Sequence, residues 1–382
     1  MLTNPPQARD LRLDLIRGLA ALLVTMGHLR AVLFVDQPQL IEGGLLTKIF
    51  YLVTSLGHQS VVVFFVLSGY LVGGSVLQAG SQFSFPAYMR ARLARLWVVL
   101  IPCLFLTLAV DQLIGYWAPD VLTGLYADRW HLGPRAGEFD SSLGTFLGNI
   151  FFLQTLAVPV FGSNGPLWSL ANEFWYYVLF PLMYSLAGAQ IYAAGPSRLL
   201  ISVVAVAAIL WAMPTEMLVG FGVWLLGALV AQLKNQKMLL PRTWHSLASL
   251  GLLVGTVAFS KWSVMAGLQL WGDVVLGFGV ACVLHATRHG SIESYPTLGL
   301  CVQRVSDLSF SLYLSHFPFV MLLGAIFSRD HRMQPALMPL IAFALVVCGL
   351  LFVAHFFWYA FERHTQAVRR WLASFPAKIA FR

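Results

Sequence analysis

Apolar runs of bilayer-crossing length follow one another from residue 12 to residue 361, and they leave the backbone few options. No water reaches the hydrocarbon core of a bilayer. Every peptide N–H and C=O there must find its partner inside the chain, so only helices or closed barrels cross. The runs lack the strict alternation of barrel strands, and about 17–25 apolar residues are what a crossing helix needs. They fall at 12–34, 55–78, 93–116, 167–187, 199–213, 217–233, 246–261, 266–286, 306–328 and 336–361. The chain has 382 residues, 58% hydrophobic and 10% charged, far below the roughly 25% charge of a soluble domain. The reading is an all-α integral membrane protein of about ten transmembrane helices, forming one membrane-embedded domain over 1–382. No internal repeat or low-complexity tract is visible. The N-terminal run contains Arg17 and is followed by no small-residue cleavage pattern, so it reads as a span and not as a signal peptide.

One segment, 143–161 (LGTFLGNIFFLQTLAVPVF), decides the orientation. If it does not cross, 17 of the 24 Lys and Arg residues lie on the side of both termini and 7 on the other. If it crosses, the split becomes about 9 against 15. The positive-inside rule prefers the first arrangement. Both termini are then cytoplasmic, and a long exterior loop (about 117–166) joins helices three and four. The net charge of +8 then sits mainly on the cytoplasmic face, where anionic lipids and anionic cytosolic ligands are found.

An ionisable side chain inside a span is expensive, roughly 2.5–3.5 kcal/mol for Arg or Asp on insertion scales, and is usually paired or in use. The first run holds three such groups: Asp14, Arg17 and His28. Asp14 and Arg17 are three residues apart and can pair. Arg17 and His28 are eleven apart, which returns to nearly the same helix face about 16 Å further along the axis. His28 offers a base near neutral pH and a nucleophilic nitrogen. Set against this, Arg17 with Asp14 also reads as a snorkelling anchor, and a lone histidine as a packing residue. Arg90, Arg92 and Arg95 lie between spans two and three. They serve equally as positive-inside anchors or as a forked grip on phosphates. Glu173 sits among Trp168, Trp175, Tyr176 and Tyr177, either as an acid or base or as half of a buried pair. Span nine is unusually polar, with Ser309, Ser311, Tyr313, Ser315 and His316, a pattern that interhelical hydrogen bonding also produces. FFVLSGYLVGGS (64–75) reads as a close-packing face. Asp111 and Asp273 have no nameable partner. His58, His285 and His355 read as structural, and the four cysteines as packing residues. No metal, serine-hydrolase or nucleotide-hydrolase motif is present.

Taken together the motifs resemble the membrane acyltransferase 3 family. LDLIRGLAALLVTMGH is similar to the family's opening helix, with its arginine and histidine. VVVFFVLSGYL resembles its FFxLSG element, and RARLARLW its arginine pair, which falls on Arg92 and Arg95. LWSLANEFWYYVLFPLM resembles the WSLxxExxFY block, which falls on Trp168, Ser169, Glu173 and Tyr176. SFSLYLSHFPF resembles SLYLxHxP, and FERH a terminal E-R-P. Val98, Asn172 and His364 depart from the usual pattern. No soluble hydrolase domain of the kind some relatives carry is present.

The resemblance implies transfer of an acyl group, acetyl by default, from cytosolic acyl-CoA to a hydroxyl of a carbohydrate or glycolipid acceptor. It also implies a multi-pass place in the bacterial cytoplasmic (inner) membrane. No metal or nucleic acid is implied, and self-association stays open. His28, Glu173 and His316 are the expected catalytic set, with His28 as base or transient acyl carrier. Arg17, Arg90, Arg92 and Arg95 hold the donor. Asp14, Trp168, Ser169, Tyr176 and Tyr313 support them, and Trp130, His131 and Asp140 of the exterior loop hold a glycan. The competing class is a flippase for lipid-linked sugars, which commonly shows repeated halves with paired broken helices.

Overall fold

The computed structural model describes residues 9–41, 43–187, 196–236, 242–287 and 296–374. All ten apolar runs fold as helices. They are α1 (Leu11–Leu33), α3 (Gly57–Ser68) continued by α4 (Gly74–Ala79), α5 (Phe85–Trp117), α8 (Leu167–Ala187), α9 (Pro196–Ala212), α10 (Thr215–Gln232), α11 (Arg242–Met265), α12 (Gln269–Thr287), α13 (Pro296–Phe327) and α14 (Leu337–Ala360). Shorter helices are α2 (Leu45–Thr54), α6 (Ala127–Trp130), α7 (Leu143–Ile150) and the terminal α15 (Thr365–Ser374). Among the described residues, eight helices are long and apolar enough to cross a membrane. The two expected spans outside that set are α8, which carries Asn172 and Glu173, and the shorter α9.

The segment 143–161 holds no helix long enough to cross a bilayer. Its only helix, α7, has 8 residues, about 12 Å of rise against a hydrocarbon core of about 30 Å. Beyond α7 the chain forms a knot of turns with left-handed backbone at Phe152 and Thr155. Buried Asn149 ties the knot: its amide donates to the carbonyls of Thr145 (2.8 Å) and Pro159 (3.0 Å) and accepts from Phe161 N (3.1 Å). Helix α5 outruns its expected start. Pro86 in the first turn begins it at Phe85, so Arg90, Arg92 and Arg95 stand on its early turns and not in a connecting loop.

Small residues set how closely the helices approach. Between α3 and α4 the chain makes one π-turn, Gly69–Gly73, pressed against α10. A Cβ on Gly69 would lie 1.8 Å from the Trp224 carbonyl, and one on Gly227 would lie 1.9 Å from that of Val66. The small-residue run is therefore the close-packing face its composition suggests. α1 lies along α13, with Gly18 against Val305 and Ser306. Ser306 reaches across to donate to Asp14 (2.8 Å). Arg17 and His28 ride on α1, and Tyr313 and His316 on α13.

Candidate active site

Two of the cavities between the helices have both α1 and α13 in their walls. The first, about 230 Å³, is lined by Arg17, Arg92, Arg95 and Glu173, with Ser169 and Tyr313 at its inner wall. The second, about 500 Å³, is lined by His28, Arg30, His58, His131, Trp168 and Tyr313. Val61 and Tyr313 belong to both walls. Arg17 and His28 thus serve adjoining cavities, as their spacing along one helix requires.

In the arginine cavity the guanidiniums are not equivalent. Buried Asp14 accepts from Arg9, Ser306 and Arg17, the last at 2.9 Å, which fixes Arg17 by one edge of its fork. The Arg17 Nε has no partner. Arg92 lies over the ring of Tyr88 (5.6 Å), and its Nε is also unpartnered. Arg95 is committed elsewhere. It pairs with Glu362 at 2.5 Å, and the other Glu362 oxygen accepts from Ser311 N (3.2 Å) and Oγ (2.5 Å). Arg90 stands outside the lining. Glu173 faces the arginines and interacts with Ser68 and Tyr177. Ser68 in turn lies 3.1 Å from the Tyr177 hydroxyl and accepts from Trp224 Nε1 (3.0 Å).

The histidine cavity holds the reactive geometry. His28 Nδ1 is 2.9 Å from His316 Nε2. The ring planes differ by 8° and the centroids are 5.2 Å apart. That separation is the N···N distance plus the two ring radii, so the imidazoles lie edge to edge in one plane, aligned for a hydrogen bond. His316 Nδ1 is 2.9 Å from the Leu312 carbonyl. A carbonyl only accepts, so Nδ1 carries the His316 proton and Nε2 of the neutral ring is bare. His28 Nδ1–H therefore donates to His316, and the lone pair of His28 is on Nε2. Phe317 meets the His28 ring edge-on at 5.1 Å and limits its rotation. The second histidine orients the first, as an orienting group does in a general-base pair.

Between the cavities stands Tyr313. The Ser169 hydroxyl donates to the Pro166 carbonyl (3.0 Å), so across the 2.6 Å contact the Tyr313 hydroxyl donates to Ser169.

Several expectations change. Tyr176 lines neither cavity. It is fully buried against Phe65 and Phe221, and its hydroxyl donates to Met217 O (2.7 Å). Tyr177, four residues from Glu173, takes the cavity position. Glu173 and His316 do not meet, because Glu173 lines the arginine cavity while His316 backs His28. Trp130 is fully buried against Tyr126 and cannot face a glycan. Asp140 accepts from Ser142 N (2.8 Å) and Thr145 Oγ1 (2.5 Å) at the start of α7, a structural duty. Only His131 of that loop trio reaches the histidine cavity. Asp111 accepts from Ser163 N and Oγ, and Asp273 pairs with His58 at 2.7 Å. Sequence reasoning gave no site role to Glu362, Arg30, or the His58–Asp273 pair. Only the charge of Arg30, inside the first span, could have marked it.

The geometry defines a class: a polytopic helical membrane protein in which an oriented imidazole faces one cavity and a cluster of guanidiniums the next. The acyltransferase domain family matches residues 10–359, and the chain belongs to that family. It is similar to an O-acetyl transferase of Shigella phage Sf6, at 26% identity over 174 residues, 44% of this chain and 43% of the relative. The chain thus spans less than half the length of that curated relative. No solved structure gives a significant match.

Proposed function

We propose that the protein is an integral membrane O-acyltransferase that moves an acyl group, acetyl by default, from cytosolic acyl-CoA to a hydroxyl of a carbohydrate or glycolipid. One observation carries the reading: His28, an oriented histidine with a bare Nε2, lines a cavity that shares Tyr313 with an arginine-lined one. The arginine cavity takes the donor. Its volume is below the roughly 300–1,000 Å³ of a whole small-molecule site. It therefore suits the thioester end of the pantetheine arm, with the phosphates held outside by the fork of Arg92 and the donors of Arg17 that Asp14 does not engage. The histidine cavity, within that range, takes the acceptor. His28 Nε2 removes the proton of the acceptor hydroxyl as its oxygen attacks the thioester carbonyl. The tetrahedral intermediate collapses by breaking C–S, and the thiolate leaves with the proton that His28 returns. Apolar walls exclude water and limit wasteful thioester hydrolysis. Both termini and the arginine mouth face the cytoplasm, as the positive-inside count supports, and the ten helices cross the inner membrane.

The test is incorporation of labelled acetyl from acetyl-CoA into glycan by purified protein in nanodiscs. His28→Ala should abolish incorporation, a loss of about 10²–10⁴ in rate, while the variant still inserts. Arg92→Ala should chiefly raise KM for acetyl-CoA. A protein that carries glycan across proteoliposomes while consuming no acetyl-CoA would be a flippase, and the reading would be wrong.

A further inference from the structure

The cations of the histidine cavity follow a pattern that acyl transfer does not require. Arg30 lines this cavity two residues from His28. Its guanidinium lies over the Tyr51 ring (5.4 Å), and its buried Nε has no partner. It makes no hydrogen bond or ion pair among the described residues. No Asp or Glu is among the described residues that line the cavity, whereas the arginine cavity includes Glu173. The acids nearby are already engaged: Asp36 with Arg332 (2.6 Å) and His131 (3.6 Å), and Asp273 with His58 (2.7 Å). A second cation, Lys261, is within electrostatic reach of Arg30. Its ammonium donates to two oxygens of Ser55, a lining residue, and to no carboxylate. Arg30 stands in the last turn of α1 and feels Asp36 only at a distance, so its donors face the cavity without a hydrogen-bonded acid. A planar fork with free donors fits a carboxylate or a phosphate.

We propose that Arg30 reads a negative charge on the acceptor, a carboxylate or phosphate borne close to the hydroxyl that is acylated, so that the enzyme selects acidic over neutral glycans. The proposal rests on the reading that this cavity receives the acceptor. The neutral ring of His28 would not hold such a group, and Arg30 supplies the hold without touching the reacting atoms. Anionic lipid headgroups offer the same phosphate chemistry, so the probes must separate the two sources.

The experiment measures binding and turnover separately. Methyl glucoside, methyl glucuronide and glucose 6-phosphate are titrated by saturation-transfer NMR into protein in nanodiscs of zwitterionic lipid. They are then tested as acceptors with acetyl-CoA. Wild type should bind at least one charged sugar about 10–100-fold more tightly than the neutral one, the range of a charge-assisted contact. The carboxylate and phosphate arms say which group is read. In Arg30→Gln the charged-to-neutral ratio should fall towards one. In Arg30→Lys, which keeps the charge and loses the fork, an intermediate ratio should remain, which shows that the site still folds. Charge-selective binding that depends on Arg30 supports the proposal even if no acetyl is transferred, in which case the acyl-transfer reading alone fails. Equal affinity of wild type for neutral and charged sugars overturns it, as does a preference that survives in Arg30→Gln. So does a preference that appears only when anionic lipid is added.

Discussion

Replacing His316 with leucine tests the orientation of His28 most directly. The wild-type arrangement holds the His28 proton on Nδ1 through one bond to His316 Nε2, with Leu312 O fixing the second ring. Leucine removes the acceptor and leaves a buried N–H unsatisfied, at about 1–3 kcal/mol. The same energy is the bias that keeps the lone pair on Nε2, a factor of about 5–150 in tautomer population. The ring also loses the in-plane contact that sets its direction. The expected loss in kcat is therefore about 10–100-fold, below that of His28→Ala, because an imidazole remains to act. KM for acyl-CoA should hardly move, since His316 lines neither cavity. His316→Gln is the informative companion: its side-chain carbonyl can accept from Nδ1–H and should recover part of the rate. The assay is release of the CoA thiol by purified protein, with thermal midpoints recorded for each variant. The reasoning is refuted if His316→Leu retains kcat within about threefold, or if glutamine and leucine lose the same amount.

The packing and the charges set three further outcomes. Gly69→Ala should force α3 and α10 apart and destabilise by about 1–3 kcal/mol or more, because its Cβ meets backbone at 1.8 Å. Gly255→Ala, with nothing within 4 Å, should be neutral or stabilising, and thermal unfolding in detergent compares the two. Arg95→Ala should lower the thermal midpoint, by about 1–3 kcal/mol of stability, since Glu362 is left 3% exposed and without its cation; Arg92→Ala, which breaks no ion pair among the described residues and only removes a more distant charge from Glu173, should lower it less. Outside the spans, the Thr145 hydroxyl and then the Ser142 amide hold the Asp140 carboxyl below its usual range. Its contribution to the start of α7 is then present above the ordinary carboxylate pKa and fades as pH falls through the depressed value. Hydrogen exchange at Thr145 should quicken on that descent in wild type and be fast throughout in Asp140→Asn.

The helices were legible because one physical demand, a satisfied backbone in hydrocarbon, writes itself as run length. Their ends were less so. The early turns of α5 carry Arg90, Arg92 and Arg95, and charge there hides helix from a reading based on apolarity. At the site, His28 and His316 could each be singled out, because an ionisable group in a span has few bland uses. Their contact could not be seen, since 288 residues separate them and only the packing of α1 on α13 joins them. The partner of Arg95 was hidden in the same way, beyond the last span at Glu362. Tyr176 was preferred to Tyr177 because the resemblance to the WSLxxExxFY block falls on it; both are buried, and it is Tyr177 that lines the arginine cavity. Trp130 and Asp140 misled for a different reason. Aromatic and acidic residues in a long loop look like ligand-binding groups, but this loop spends them on its own folding.

The division of labour between α1 and α13 explains why the site has two chambers and not one. α1 carries Arg17 and His28 on one stripe, about 16 Å apart, farther than one small cavity reaches. α13 answers with Tyr313 and His316, three residues apart and so on neighbouring positions of one face. Tyr313 closes the space between the chambers, and His316 sets the proton on the base just beyond it. One helix therefore places the partition and the orienting ring together, and a shift of α13 against α1 would move both. On the acyl-transfer reading this coupling has a use: one helix holds in register the ring that lines both cavities and the ring that orients the base.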